Sequence, residues 1–327
     1  QEEKIKVYLH TLCVGAIQED DRIIAALIEN KDGRSAIKAE FFIDATGDGD
    51  LAQYLKLPMY RHTVVQPPTP CFLMKGTTDG IDVEKLIATH GAEFGIPDDF
   101  GWYGPVPGAP DIYLRADFHV LNVDCASADG LTYVEMEGRR KAYALAALIN
   151  KYTDRDVSIA ALSSLAGIRE SNHYRTRHQV RGDDLLRGKK YEDAILNGTY
   201  RIDMHDLNGA VTFKYLNGYA VRMEGAQRYS VEWNWREKEG VSGEPAKYYQ
   251  VPLDTLIQEQ YSNFIAAGRM VNADPQAFGA LRVMVNLNQL GEAAGVAAFM
   301  SIHQGKCVQE LSGTDVRRTL CQGGSAL

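Results

Sequence analysis

Short apolar runs bounded by polar turns dominate the first fifty positions of this chain. Lys4 to Val14 is one run and Arg22 to Glu29 is a second, and both read as strands. The turn Asn30-Lys31-Asp32-Gly33 follows. Asp-Gly between apolar runs is hairpin chemistry, because glycine accepts the positive φ of a tight turn. The third run, Ser35 to Ala45, contains Phe41-Phe42-Ile43. Three apolar residues in succession suit a strand covered on both faces, as in a parallel sheet. A short helix is expected over Leu51 to Lys56. Residues 58–125 break the pattern: Pro58, Pro67, Pro68, Pro70, Pro97, Pro105, Pro107 and Pro110, with Gly101, Gly104 and Gly108, mark loops and short elements. Helical spacing returns over 130–152 with Met136, Arg140, Tyr143, Ala144, Ala147 and Leu148. Tyr191 to Leu196 reads as a short helix stopped by Asn197-Gly198. Tyr248 to Leu253 reads as a strand entering a turn, and Asn263 to Gly268 as a buried strand with a loop after Arg269. Asn286 to His303 reads as a long helix. Its Ala293, Ala294, Gly295, Ala297 and Ala298 permit close packing against a sheet or a cofactor.

Composition narrows the class. With 327 residues the chain suggests two domains, and 45% hydrophobic residues supply a sizeable core. A net charge of -8 argues against a nucleic-acid binder, although Arg169 to Lys190 is locally basic; such a run is ordinarily a solvated face. Cys13, Cys71, Cys125, Cys307 and Cys321 are scattered and form no Cys-x-x-Cys, which fits a reducing compartment and a cytoplasmic location. No apolar run is long enough to span a membrane, so none is expected to. The chain opens Gln1-Glu2-Glu3 with no Met, as if entering a sheet midway.

Two stretches carry candidate chemistry. In Ile43-Asp44-Ala45-Thr46-Gly47-Asp48-Gly49-Asp50-Leu51-Ala52 a buried strand runs into a turn of small residues. Glycine lets a backbone approach a ligand closely, and strand ends of open α/β sheets bind nucleotides. A plain strand-to-helix turn with aspartate caps is the simpler alternative. The alternating acids resemble the start of a calcium loop, but Leu55 stands where the bidentate Glu is required, so no metal is expected. The second stretch joins Gly268-Arg269, Phe278 to Met284 and the small-residue helix. A helix N-terminus with Arg269 and Arg282 nearby suits a phosphate, a carboxylate or the electron-rich end of a reduced flavin. Among single residues, His205 between Asp203 and Asp206 is a candidate proton donor or acceptor. Arg169 is a candidate carboxylate anchor, with an ion pair to Glu170 as the plainer alternative. His173 and His178 read as surface residues. Trp233 and Trp235 alternate as on one strand face and read as packing.

Taken in order, these elements resemble the FAD-dependent oxidoreductases of the glutathione-reductase-like superfamily, distantly similar to fumarate reductase flavoproteins. The carrying residues are Asp44-Ala45-Thr46-Gly47-Asp48-Gly49-Asp50, Gly167-Ile168-Arg169-Glu170, Asp203-Met204-His205, Val251-Pro252 and Asn263 through Ala298. The resemblance implies an α/β fold, α+β overall: a partial Rossmann-like FAD-binding domain from 1–56 and 263–327, with an inserted substrate or cap domain over 57–262. It implies FAD as cofactor, with Ala45, Thr46, Gly47 and Asp48 near the adenosine and pyrophosphate half. Gly268 and Arg269 would lie at a strand end near the cofactor. Arg282, Val283, Met284, Asn286 and Leu290 would lie near the isoalloxazine ring. Arg169, His205 and Arg282 would face a small organic substrate and serve hydride transfer. The family's Gly-x-Gly-x-x-Gly is not in the chain, so the chain is expected to be the C-terminal portion of a bacterial enzyme with that fingerprint upstream. A non-catalytic ligand-binding domain and a nicotinamide-dependent enzyme are the alternatives. An electron-transfer partner and the oligomeric state stay open.

Overall fold

The computed structural model describes residues 4–327. Gln1, Glu2 and Glu3, where the chain was expected to enter a sheet, lie outside them. The chain forms two compact units. Unit 1 is Gln1–Arg61, Asn172–Tyr200 and Ala246–Leu327; unit 2 is His62–Ser171 and Arg201–Pro245. Three segments of the expected insert, 57–61, 172–200 and 246–262, fall in the first unit.

Unit 1 opens with an antiparallel ribbon of Leu12–Glu19, Arg22–Asn30 and Gly33–Lys38. The hairpin at 30–33 forms as its chemistry demands: Gly33 has φ 100, and the Asn30 side chain accepts from Asp32 N at 2.9 Å. The first strand starts at Leu12, not Lys4, because pairing with Arg22–Asn30 sets its length; Ile5, Val7, Tyr8 and Leu9 are exposed. The run expected as one strand over Ser35 to Ala45 splits in two. Its second part, Phe42–Asp44, pairs in parallel with Phe264–Ala266, and Asn263 bonds Ile23 of the ribbon and Glu40 in the connection before Phe42. Ile43 is exposed rather than covered on both faces. The core gathers Ile23, Phe42, Leu51, Ala52, Tyr174, Phe264 and Met270.

Residues 194–196 do not form a helix. Ala194–Gly198 is a strand antiparallel to Tyr249–Pro252. Ala194, Ile195 and Leu196 are all at most 1% exposed, and three consecutive buried side chains suit a covered strand where a short helix would leave one outside. The segment after Arg269 contains a helix, Pro275–Leu281, that was expected as loop. Asp274 caps it by accepting from Ala277 N at 2.8 Å, and Pro275 fills the first turn, where no N–H is needed. The long helix runs Met284–Gln304 and stops at Gly305 in the left-handed region.

Unit 2 has a four-stranded antiparallel sheet in the order Trp102–Pro105, Ile112–Ala116, Phe72–Lys75, Ser158–Leu162. The helix Ala128–Tyr152 is capped by Ser127 and contributes Ala142, Leu145, Leu148 and Ile149 to a core with Phe72, Met74 and Phe118. The expected helical stripe lies partly on the wrong face: Met136 and Tyr143 are 68% and 59% exposed. A second sheet is a meander of Ile202–His205, Val211–Lys214, Tyr219–Glu224 and Tyr229–Asn234. Trp235 leaves that sheet to begin a short helix; it is buried and donates Nε1 to Tyr215 O at 2.7 Å.

Candidate functional site

Unit 1 builds a strand-end cradle from two chain segments. Asp44, the last residue of its strand, is buried and accepts from Thr46 N (3.0 Å), Thr46 Oγ1 (2.7 Å) and Ala52 N (2.9 Å). Thr46 Oγ1 in turn accepts from Gly49 N and Asp50 N. The turn is thus held by its own polar groups. Gly47 sits at φ 81, and a Cβ there would lie 1.9 Å from an Arg269 guanidinium nitrogen. Gly268, at φ 142, brings the second strand's end against it. Arg269 Nη2 donates to Asp48 at 2.5 Å, while its Nε is buried without a hydrogen-bond partner. Asp50 is held above the usual carboxylate range, first by burial and then by Asp48 and Asp44. The helix that follows, Asp50–Tyr54, has five residues. It is too short to offer the anion site of a long helix N-terminus.

Gly47, Asp48, Gly268 and Arg269 therefore lie together, with Ala45 and Thr46 in the same turn. Arg282 closes the helix Pro275–Leu281, and Val283 precedes the long helix with no side-chain cap bond. Met284 is 86% exposed. Asn286 and Leu290 point the other way. Leu290 is buried in the core, and the Asn286 amide donates to Tyr249 Oη and Ala280 O, both at 2.9 Å.

A free-standing test of the cradle follows from Gly47. A Cβ at this φ costs about 2 kcal/mol, and it forces Arg269 off Asp48. Gly47→Ala is expected to lower the melting temperature, and a parental value would rule out this close packing of Gly47 on Arg269.

Unit 2 gathers a buried polar cluster. An Arg169 guanidinium N–H lies 2.9 Å from His205 Nε2, and Asp203 Oδ1 lies 3.4 Å from the same nitrogen. A guanidinium only donates, so Nε2 accepts and the imidazole proton sits on Nδ1. That Nδ1 is buried with no hydrogen-bond partner. Burial pushes the His205 imidazole down to about 4, with the neighbouring His119 and Arg169 acting in the same direction against Asp203. His205 is thus neutral near pH 7. Glu170 is committed elsewhere: it meets His62 Nδ1 at 2.6 Å and accepts from Gln66 N at 2.7 Å. Gln66 then donates to Asp203 O, which ties the cluster to the meander.

His119 was not foreseen. Its ring packs edge-on against His205 with centroids 4.6 Å apart, and Asp99 holds both its Nδ1 and its backbone N–H. Asp99 and His119 are twenty positions apart with no periodic relation, so no local pattern announces them. His173, expected at the surface, is fully buried and bonds Val271 O. Among the described residues no helix is long and apolar enough to cross a membrane.

The sequence model of the family described as FAD dependent oxidoreductase matches residues 1–320. The chain belongs to this family of flavoenzymes, whose cofactor is FAD. No curated protein matches it. A solved structure with a partial likeness is the ternary complex of aklavinone-11 hydroxylase with FAD and aklavinone, at 15% identity and a TM-score of 0.27. The match covers 52% of this chain and 30% of that one, too slight a likeness to transfer fold or function.

Proposed function

We propose that this chain forms part of an FAD-dependent oxidoreductase that moves a hydride between flavin and a small organic acid. The carrying observation is the cradle of Gly47, Asp48, Gly268 and Arg269, with its buried, unpartnered Arg269 Nε. Three aspartates stand beside one arginine there. That balance suits a hydroxyl-bearing ribose, with Asp48 as acceptor, as well as the phosphate that Arg269 would meet. The Rossmann-like character proposed for unit 1 rests on the parallel pairing of Phe42–Asp44 with Phe264–Ala266 and on the family. Ala45, Thr46 and the segment Arg282 to Met284 would complete the cofactor's surroundings. Membership in an enzyme family does not favour a non-catalytic binding domain.

When bound, FAD supplies two-electron hydride chemistry. In unit 2, Arg169 is positioned to take a substrate carboxylate with its planar fork. Doing so draws its N–H away from His205 Nε2 and leaves that lone pair available. His205, neutral at physiological pH, would accept a proton from a substrate held at Arg169. Arg282 would add fixed positive charge near the flavin in unit 1.

The test is a visible absorption spectrum of the purified chain after incubation with excess FAD and desalting. A retained flavin band that is lost in Arg269→Ala supports the cofactor assignment, and absence of any band in the parent removes it for this chain. Where turnover is measurable, Arg169→Ala is expected to raise KM for an acidic substrate more than tenfold, and Arg169→Lys to recover only part, since an ammonium lacks the fork. An unchanged KM would exclude Arg169 as the anchor.

A further inference from the structure

The strand Tyr229–Asn234 ends one side of the meander in unit 2 and, among the described residues, pairs only with Tyr219–Glu224. Its open side has a readable polarity. Trp235 N donates to Gly218 O at 2.9 Å, which makes that pair a hydrogen-bonded one. Alternation along an antiparallel ladder then turns the N–H and C=O groups of Tyr229, Val231 and Trp233 inward, and those of Ser230 and Glu232 outward. Side chains alternate as well, so Tyr229, Val231 and Trp233 share one face. Tyr229 and Val231 are 70% and 68% exposed. The usual guards of a free edge are lysine, proline and bulges. This strand carries no lysine or proline, its pairing register is unbroken, and Glu232 is its single charge.

We propose that two copies of this chain pair antiparallel through Tyr229–Asn234, about a two-fold axis at Val231. In this register Ser230 faces the partner's Glu232, Tyr229 faces the partner's Trp233, and Val231 faces the partner's Val231. Each outward backbone group meets an outward group, and apolar side chains meet apolar ones. The neighbouring registers fail for stated reasons. A one-residue slip sets outward groups against inward ones. Centring on Glu232 places two carboxylates directly opposite each other. Centring on Ser230 runs the ladder into Arg228, whose φ of 54 takes it out of the strand. Exposure, edge polarity and self-complementarity thus point to a second copy as the occupant. The interface is small, so the dimer is weak and concentration-dependent. The inference is independent of the flavin chemistry.

Sedimentation of the full chain over a wide concentration range is expected to show the mass doubling as concentration rises. Ser230→Pro removes only an outward donor, leaving the ladder to Tyr219–Glu224 intact, and Val231→Lys sets like charges at the axis. Each is expected to abolish the doubling with an unchanged melting curve. Val231→Cys is expected to give an oxidised covalent dimer far faster than the parent, because facing residues of a non-hydrogen-bonded pair bring their Cβ atoms about 4.5–5.5 Å apart. Ser230→Cys, which faces the partner's Glu232, is expected to match the parent. A chain that stays monomeric throughout overturns the proposal, and so does a dimer indifferent to both edge variants. If those variants unfold, the contrast between the two cysteine variants decides in the same way.

Discussion

Replacing Arg115 with methionine is expected to cost about 3–5 kcal/mol of unfolding free energy, the largest single-residue effect outside the apolar core. Arg115 is fully buried in the sheet of unit 2. Its Nε and Nη2 grip Asp117 at 2.8 and 2.6 Å, and Nη1 reaches Thr78 at 3.3 Å. The Tyr103 ring covers the guanidinium at 4.4 Å. Burial raises the Asp117 pKa and the Arg115 fork opposes that rise. Without the fork, a carboxylate is left buried and unpaired, so the cost is the stranded partner rather than the worth of the pair. The double variant Arg115→Met/Asp117→Leu should therefore recover much of the loss. The single variant's deficit should shrink on acidification: a carboxyl whose folded pKa lies above its unfolded one contributes most at low pH, and the contribution is lost as pH rises. Urea unfolding of the three proteins at two pH values decides. A single-variant cost below about 1 kcal/mol, or a double variant no better than the single, would refute the account.

Stability is also expected to fall as pH drops from about 6.5 to about 4, by roughly 3 kcal/mol from His205 alone. In that window the unfolded imidazole takes a proton and the folded one does not, so the unfolded state binds more protons and acid favours it. Above the unfolded value the stabilisation is complete; below the folded value the loss stops growing. His205→Gln should flatten the slope within this window while leaving the carboxylate-driven slope below it. A variant whose pH–stability curve is superimposable on the parent's would show that His205 is not held neutral by burial. The same depression keeps His205 unprotonated across the physiological range, the state that the role proposed for it requires.

Local chemistry in the sequence foretold what depends on neighbours in the chain. The Asn30 to Gly33 hairpin, the glycine turn after Asp44 and the long helix closed by Gly305 are all local. The approach of Gly47 to Arg269 was legible only as two small-residue strand ends, since their meeting needs a parallel pairing across most of the chain. Tyr191 to Leu196 misled because a short apolar run satisfies helix and strand equally, and tertiary burial chose the strand. Met136 and Tyr143 misled because alanines on several faces of Ala128–Tyr152 leave the stripe ambiguous, and Gly138 and Lys141 lie on the buried side. The Asp99–His119 and Glu170–His62 pairs lacked any local signal, being made by loops that the proline-rich stretch brings back on itself.

The interleaving of the two units carries a consequence for synthesis. Phe42 pairs in parallel with Phe264, and the residues of unit 2 lie between them in the chain. On the ribosome, unit 2 has all of its residues in hand before the strand Phe264–Ala266 is made. Among the described residues Phe42–Asp44 pairs only with Phe264–Ala266, so this pairing must wait through that interval. Contacts of such long sequence separation form slowly and expose apolar surface while they are pending. Unit 1 therefore cannot close before the strand Phe264–Ala266 is made, and the approach of Gly47 to Arg269 forms only after that.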